Sequence, residues 1–150
     1  MTKIITIALI AGLILFSALV YYINEIPLIF RINFSDPILI ATFILAITCI
    51  PSGFIYSKSY WNKVNQNETI IKKLMTFQSG LIIRLAFCEG VGLFSVIGFL
   101  MTGNLVYSVV LLIVIIAMLY NYPSPDSIGT ALNLTSSEID LLDTKYNQTR

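Results

Sequence analysis

Long apolar runs alternate with short polar breaks along this chain. The runs cover about Ile4 to Tyr22, Pro37 to Tyr56, Leu81 to Met101 and Leu105 to Tyr120. A helix needs roughly 17–25 apolar residues to cross a bilayer. The first three runs meet that requirement, and the fourth is shorter but almost free of polar side chains. The pattern predicts an all-α polytopic membrane protein. Residues 1–122 form four transmembrane helices, and residues 123–150 form a short cytoplasmic tail with helical stretches.

The breaks carry their own signals. A cleaved signal peptide has a basic start, an apolar stretch of about 7–15 residues and a small-residue cleavage site. The first run is longer and ends in the interfacial pair Tyr21-Tyr22, so it reads as a retained span. The connector from Asn24 to Asp36 keeps an apolar centre, Ile26 to Phe30, and is expected to lie along the membrane interface. Ser35-Asp36-Pro37 is a helix start, with Asp36 capping free amides and Pro37 suited to the first turn. Pro51, beside Ser52 and Gly53, is expected to kink or end the second helix. Residues Ser57 to Gly80 form the longest polar stretch, with Lys58, Lys63, Lys72 and Lys73 against the single acid Glu68. Tyr60 and Trp61 stand there as interfacial anchors. A helix capped by Asn67, with Ile70, Ile71, Leu74 and Met75 on one side, is either a basic amphipathic approach to an anionic leaflet or a solvated loop helix. Thr102-Gly103-Asn104 is a tight turn, which makes the last two spans an antiparallel hairpin. In the tail, Ser124-Pro125 starts one short helix, and Thr135-x-x-Glu138 is a capping box for another through Leu141-Leu142.

Basic residues orient the bundle. Lys3, the lysines of the second connector, Arg84, Lys145 and Arg150 fall on one side, against Arg31 alone on the other. Cytoplasmic loops carry the excess of Lys and Arg, so both termini are expected in the cytoplasm of a cell whose plasma membrane holds the protein. The three Asn-x-Thr sequons at Asn67, Asn133 and Asn147 then face the cytoplasm and are chance matches.

Composition closes off the soluble alternatives. The 150 residues are 57% hydrophobic and only 11% charged, and mean hydropathy is +0.85. A soluble domain carries about 25% charged residues. A net charge of +1 gives no reason to expect a nucleic-acid partner. With no His, the commonest metal ligand and general base is missing. Cys49 and Cys88 lie inside apolar runs and read as small buried hydrophobes. No nucleophile–base pair, metal cluster or phosphate loop is evident, so no enzyme activity, cofactor or metal is expected. The expected partners are the lipid bilayer and either further copies of the chain or another membrane protein.

The chemistry concentrates in the third span, where Arg84 and Glu89 interrupt an apolar stretch. Nine Leu, Ile, Val or Phe residues lie between Leu85 and Met101. They favour insertion by about 4 kcal/mol in sum, against about 2.5–3.5 kcal/mol for one central charge. The balance is near zero, so this helix enters most readily as a hairpin with the fourth. Cys88, Ser95, Gly98 and Thr102 align in a stripe of small groups that lets helix backbones approach. Arg84 heads that stripe and is expected to snorkel to the cytoplasmic interface. Glu89 points well away from it, toward either a second-span donor such as Thr48 or another protein. Three roles stand open for Glu89: a hydrogen bond that fixes the bundle, proton or cation handling, and docking of a partner helix.

Two resemblances attach to these residues. The run Glu89-Gly-Val-Gly-Leu-Phe-Ser-Val-Ile resembles, over about ten residues, the carboxylate helix of rotary ATPase ring subunits. It implies proton carriage by Glu89, but the glycine-rich partner helix of that family is missing from the other spans. Arg84-Leu-Ala-x-x-Glu-Gly, the Gly103-Asn104 turn and the Tyr122-Pro-Ser-Pro segment that leads on toward Glu138 are similar to a set of small four-span bacterial inner-membrane proteins. That similarity covers roughly the second half of the chain and implies a topology and a bacterial inner-membrane location without an activity.

Overall fold

The structure is a computed structural model and describes residues 2–33, 35–65, 68–132 and 134. It is helical, with no strand among the described residues. In order come α1 (Thr2–Ile23), α2 (Pro37–Trp61), α3 (Ile70–Thr102), α4 (Leu105–Tyr120) and α5 (Pro125–Leu132). Three of these, α1 from Lys3 onward, α2 and α3, are long and apolar enough to cross a membrane; α4 is an apolar helix of 16 residues. The Asn67 cap, the Thr135–Glu138 capping box and the helix expected through Leu142 lie outside the described residues.

Helix α3 is the axis of the fold and packs against each of the other four. Its buried face carries Leu85, Cys88, Val91, Ser95, Val96, Gly98 and Phe99. Leu13 of α1, Leu39 of α2, and Tyr107, Val114 and Met118 of α4 are also buried in this core. Outward positions such as Ile47, Ile55, Leu112, Ile113 and Ile116 are large, apolar and exposed. Apolar side chains thus face outward as well as inward, which suits a hydrocarbon solvent.

Two elements run further than their expected bounds. Helix α2 does not end at Pro51; it runs on to Trp61. Proline removes a backbone donor, and nearby hydroxyls occupy other carbonyls of that stretch: Ser52 Oγ donates to Thr48 O (2.6 Å) and Thr48 Oγ1 to Ile44 O (2.7 Å). The polar stretch before the third span is not a separate surface helix either. From Ile70 it is the first part of a continuous 33-residue α3. Its Phe77 stacks on Trp61 at the end of α2, ring centroids 5.1 Å apart, and Phe77 O accepts from Trp61 Nε1 at 3.3 Å. The α2–α3 hairpin is therefore held together beyond the apolar part of both helices. Gly80 makes this contact possible, since a Cβ there would stand 2.5 Å from Trp61 Nε1.

At the other end of the bundle the short turn after α3 is clasped by the first connector. Ile29 N donates to Gly103 O (3.1 Å), and Leu105 N donates to Ile29 O (2.8 Å). Asn104, 5% exposed, caps α4 by accepting from Val106 N (3.1 Å). The same side chain accepts from Arg31 N (3.3 Å) and donates to Arg31 O (2.6 Å). Gly103 has φ 65°, and a Cβ there would meet Pro27 O at 2.8 Å. Both the left-handed backbone and the close connector call for glycine. The connector thus binds the bundle as well as leaving it. Nearby, Asp36 caps α2 by accepting from Ile38 N (2.9 Å), and its other oxygen accepts from the Tyr107 hydroxyl at 3.1 Å.

Candidate functional site: a clamped arginine and an open-edge carboxylate on helix α3

Arg84 sits one turn before Cys88 on the packed side of α3, where it is half-buried. Three elements hold it. Its Nε donates to Ser57 Oγ of α2 at 2.9 Å, and one terminal nitrogen donates to Asn121 Oδ1 at the end of α4 at 2.6 Å. The guanidinium carbon lies 4.2 Å from the Phe54 ring centre and 4.6 Å from that of Trp61. Ser57 and Asn121 are themselves buried and fixed. Ser57 Oγ donates to Phe54 O (2.9 Å), and Asn121 Nδ2 to Ala117 O (2.6 Å). Arginine suits this position because its planar fork serves several acceptors while its face stacks on aromatic rings. Both acceptors are neutral oxygens. No carboxylate pairs with Arg84 among the described residues.

Beside the clamp a cleft of about 900 Å³ opens between the end of α2 and α5, lined by Phe54, Lys58, Trp61, Arg84, Ser127 and Thr130. Helix α5 forms one wall because its Ile128 and Leu132 are buried against α3 and α2.

Glu89 lies elsewhere. It is half-buried at the edge of the outward stripe Ala86, Gly90, Leu93, Ile97 and Met101. No hydrogen bond or ion pair engages its carboxylate among the described residues. Thr48 does not serve as its donor, since that exposed hydroxyl turns back on its own helix at Ile44 O. A Cβ on Gly90 would meet nothing within 4 Å. The side of α3 that carries Glu89 is therefore open to whatever surrounds the bundle.

The small-residue stripe lies in the interior. Gly98 faces Tyr107 of α4, and a Cβ there would come within 2.5 Å of that ring. Ser95 and Thr102 bond their own helix at Val91 O (2.9 Å) and Gly98 O (2.8 Å). Cys88 is fully buried. Tyr60 is exposed and Trp61 only partly so; Trp61 acts as a buttress between Phe77 and Arg84.

The residues that complete the Arg84 clamp, Ser57 and Asn121, escaped the sequence reading. Each is an ordinary polar residue at the end of an apolar run. The one signal was Arg84 itself, a cation inside a span that needs partners from its neighbours. No known protein family matches this chain, and no characterised protein or solved structure matches it either.

Proposed function

We propose that this is an integral protein of the bacterial inner membrane, crossing it four times with both termini in the cytoplasm, and that it acts as a structural or accessory subunit through helix packing and its cytoplasmic tail. The observation that carries the reading is Glu89: an acid in an apolar span, set beside Ala86 and Gly90 on the open side of α3 without a partner among the described residues. An ionisable group within a span calls for a partner, and small neighbours favour close helix approach. The fourth crossing is supported by α4, a largely apolar helix whose 16 residues rise about 24 Å. Placement of the two termini on one side is supported by Lys3 at the start of α1, 6.0 Å from the Tyr122 ring just after α4.

The same carboxylate, unpartnered among the described residues, favours one alternative, in which Glu89 carries a proton or cation for a coupled membrane complex. One experiment separates the two. A photo-crosslinking residue is placed at Gly90, with Ile113 on the exposed side of α4 as control, in wild-type, Glu89→Gln and Glu89→Leu backgrounds in native membranes. The packing reading expects a discrete protein adduct from position 90 only, retained in Glu89→Gln and lost in Glu89→Leu, because Gln keeps hydrogen bonding. Only lipid adducts at both positions would overturn it. If Glu89→Gln keeps the adduct but abolishes proton flux in liposomes holding the adduct-forming complex, the carrier reading replaces it.

A further inference from the structure

The clamped arginine has a consequence beyond packing. Eighteen residues separate Arg84 from Thr102 on α3, a rise of about 27 Å, close to the roughly 30 Å hydrocarbon thickness of a bilayer. With the Gly103-Asn104 turn at one surface, Arg84 stands at the other, at headgroup depth. There its charge is half-buried, its two protein acceptors are neutral, and both aromatic contacts fix the plane of the fork. A guanidinium presents five N–H donors, of which Ser57 and Asn121 take two. No ion pair engages Arg84 among the described side chains, and a partly desolvated cation without a counterion is costly, so the site has a use for an anion. The cleft beside it supplies room for one, about 900 Å³, together with the second cation Lys58 and the hydroxyl-bearing residues Ser127 and Thr130. Ile55, 68% exposed, also lines the cleft and gives it an apolar flank.

We propose that this cleft binds a phosphate group, held by Arg84 and Lys58 against the wall formed by α5, and that the phosphate belongs to an anionic lipid of the leaflet in which Arg84 sits. Arginine and lysine in a pocket at membrane depth are the chemistry that recognises such headgroups. The cavity has the size of sites that take small ligands, and its fixed arginine loses little freedom on binding. The proposal rests on the membrane placement argued above, and it is independent of any role of Glu89.

The test uses the single tryptophan of the chain, which is Trp61 in the cleft wall. The full-length protein is reconstituted in phosphatidylcholine nanodiscs, and Trp61 emission is followed as phosphatidylglycerol replaces part of the lipid. Parallel arms add inorganic phosphate or glycerol phosphate in solution. The expected result is a saturable change with phosphatidylglycerol that soluble phosphates do not reproduce. Lys58→Gln, an exposed position that leaves the clamp intact, is expected to weaken the response about fivefold, as for one basic residue at an anionic surface. Arg84→Gln is expected to weaken it at least as much. Lys72→Gln, a side chain 67% exposed outside the cleft, removes the same charge and is expected to leave it unchanged. Equal loss in Lys58→Gln and Lys72→Gln would mean unspecific surface attraction and would overturn the site. So would an unaltered response in Lys58→Gln, or no response to any phosphate. Saturation by the soluble phosphates would keep the phosphate site and overturn its lipid source.

Discussion

Replacing Asn104 is expected to loosen one end of the bundle by an amount that can be worked from its contacts. The side chain makes three hydrogen bonds, to Val106 N, Arg31 N and Arg31 O. Loss of a helix cap costs about 1 kcal/mol, and each further hydrogen bond contributes about 1 kcal/mol net. Asn104→Ala should therefore cost about 3 kcal/mol. Part of the Arg31 loss is recoverable, because Arg31 is exposed and its backbone can find water or headgroups. Asn104→Ser separates the contributions. Its hydroxyl keeps a capping acceptor for Val106 N but is too short for the two Arg31 bonds, so it should recover about 1 kcal/mol of the loss. Reversible unfolding by sodium dodecyl sulfate in mixed micelles, followed by circular dichroism, measures both. Limited proteolysis of the 24–36 connector should rise in the same order. If Asn104→Ala falls within about 0.5 kcal/mol of wild type, the range of an ordinary surface substitution, or if Ala and Ser behave alike, the clasp does not hold the connector as described.

Other expectations follow from particular contacts. Gly98→Ala should destabilise by about 1–3 kcal/mol through overpacking, because its Cβ would press on the Tyr107 ring at 2.5 Å; Gly90→Ala, with open space around it, should be neutral or gain up to about 1 kcal/mol of helix propensity, and the same unfolding assay compares them. Tyr107→Phe removes the hydroxyl that reaches Asp36 and should cost about 1.5–3 kcal/mol, the range for a hydrogen bond to a charged group, whereas Tyr21→Phe loses only the exposed bond to Ser108 and should cost less. A membrane-permeant maleimide should label Cys49, which is partly exposed, and spare Cys88, which is buried; equal labelling of both, read by mass spectrometry, would contradict the packing of α3.

How much of this was legible beforehand depended on whether the information is local. Apolar run length alone marks α1, α2 and α3 as helices able to cross a membrane, because the bilayer sets a length and forbids unpaired backbone groups. The Asp36-Pro37 start of α2 and the Ser124-Pro125 start of α5 are equally local, since a cap and a proline act within one turn. Helical periodicity separates the Gly98 side of α3 from the Glu89 side, and the structure adds that the first is buried and the second lies at an open edge. What sequence could not supply was partners distant along the chain. Ser57 and Asn121 meet at Arg84 from helices 27 and 37 residues away. Arg31 closes on Asn104 across 73 residues. The continuity of α3 through its polar start was likewise hidden, because the apolar surface that supports it is Trp61 on the neighbouring helix. Hydrophobicity and local geometry determine which segments are helices in a membrane protein; only tertiary packing determines which of its few polar groups are satisfied, and thereby which, like Glu89 and the free edge of Arg84, are left to meet something else.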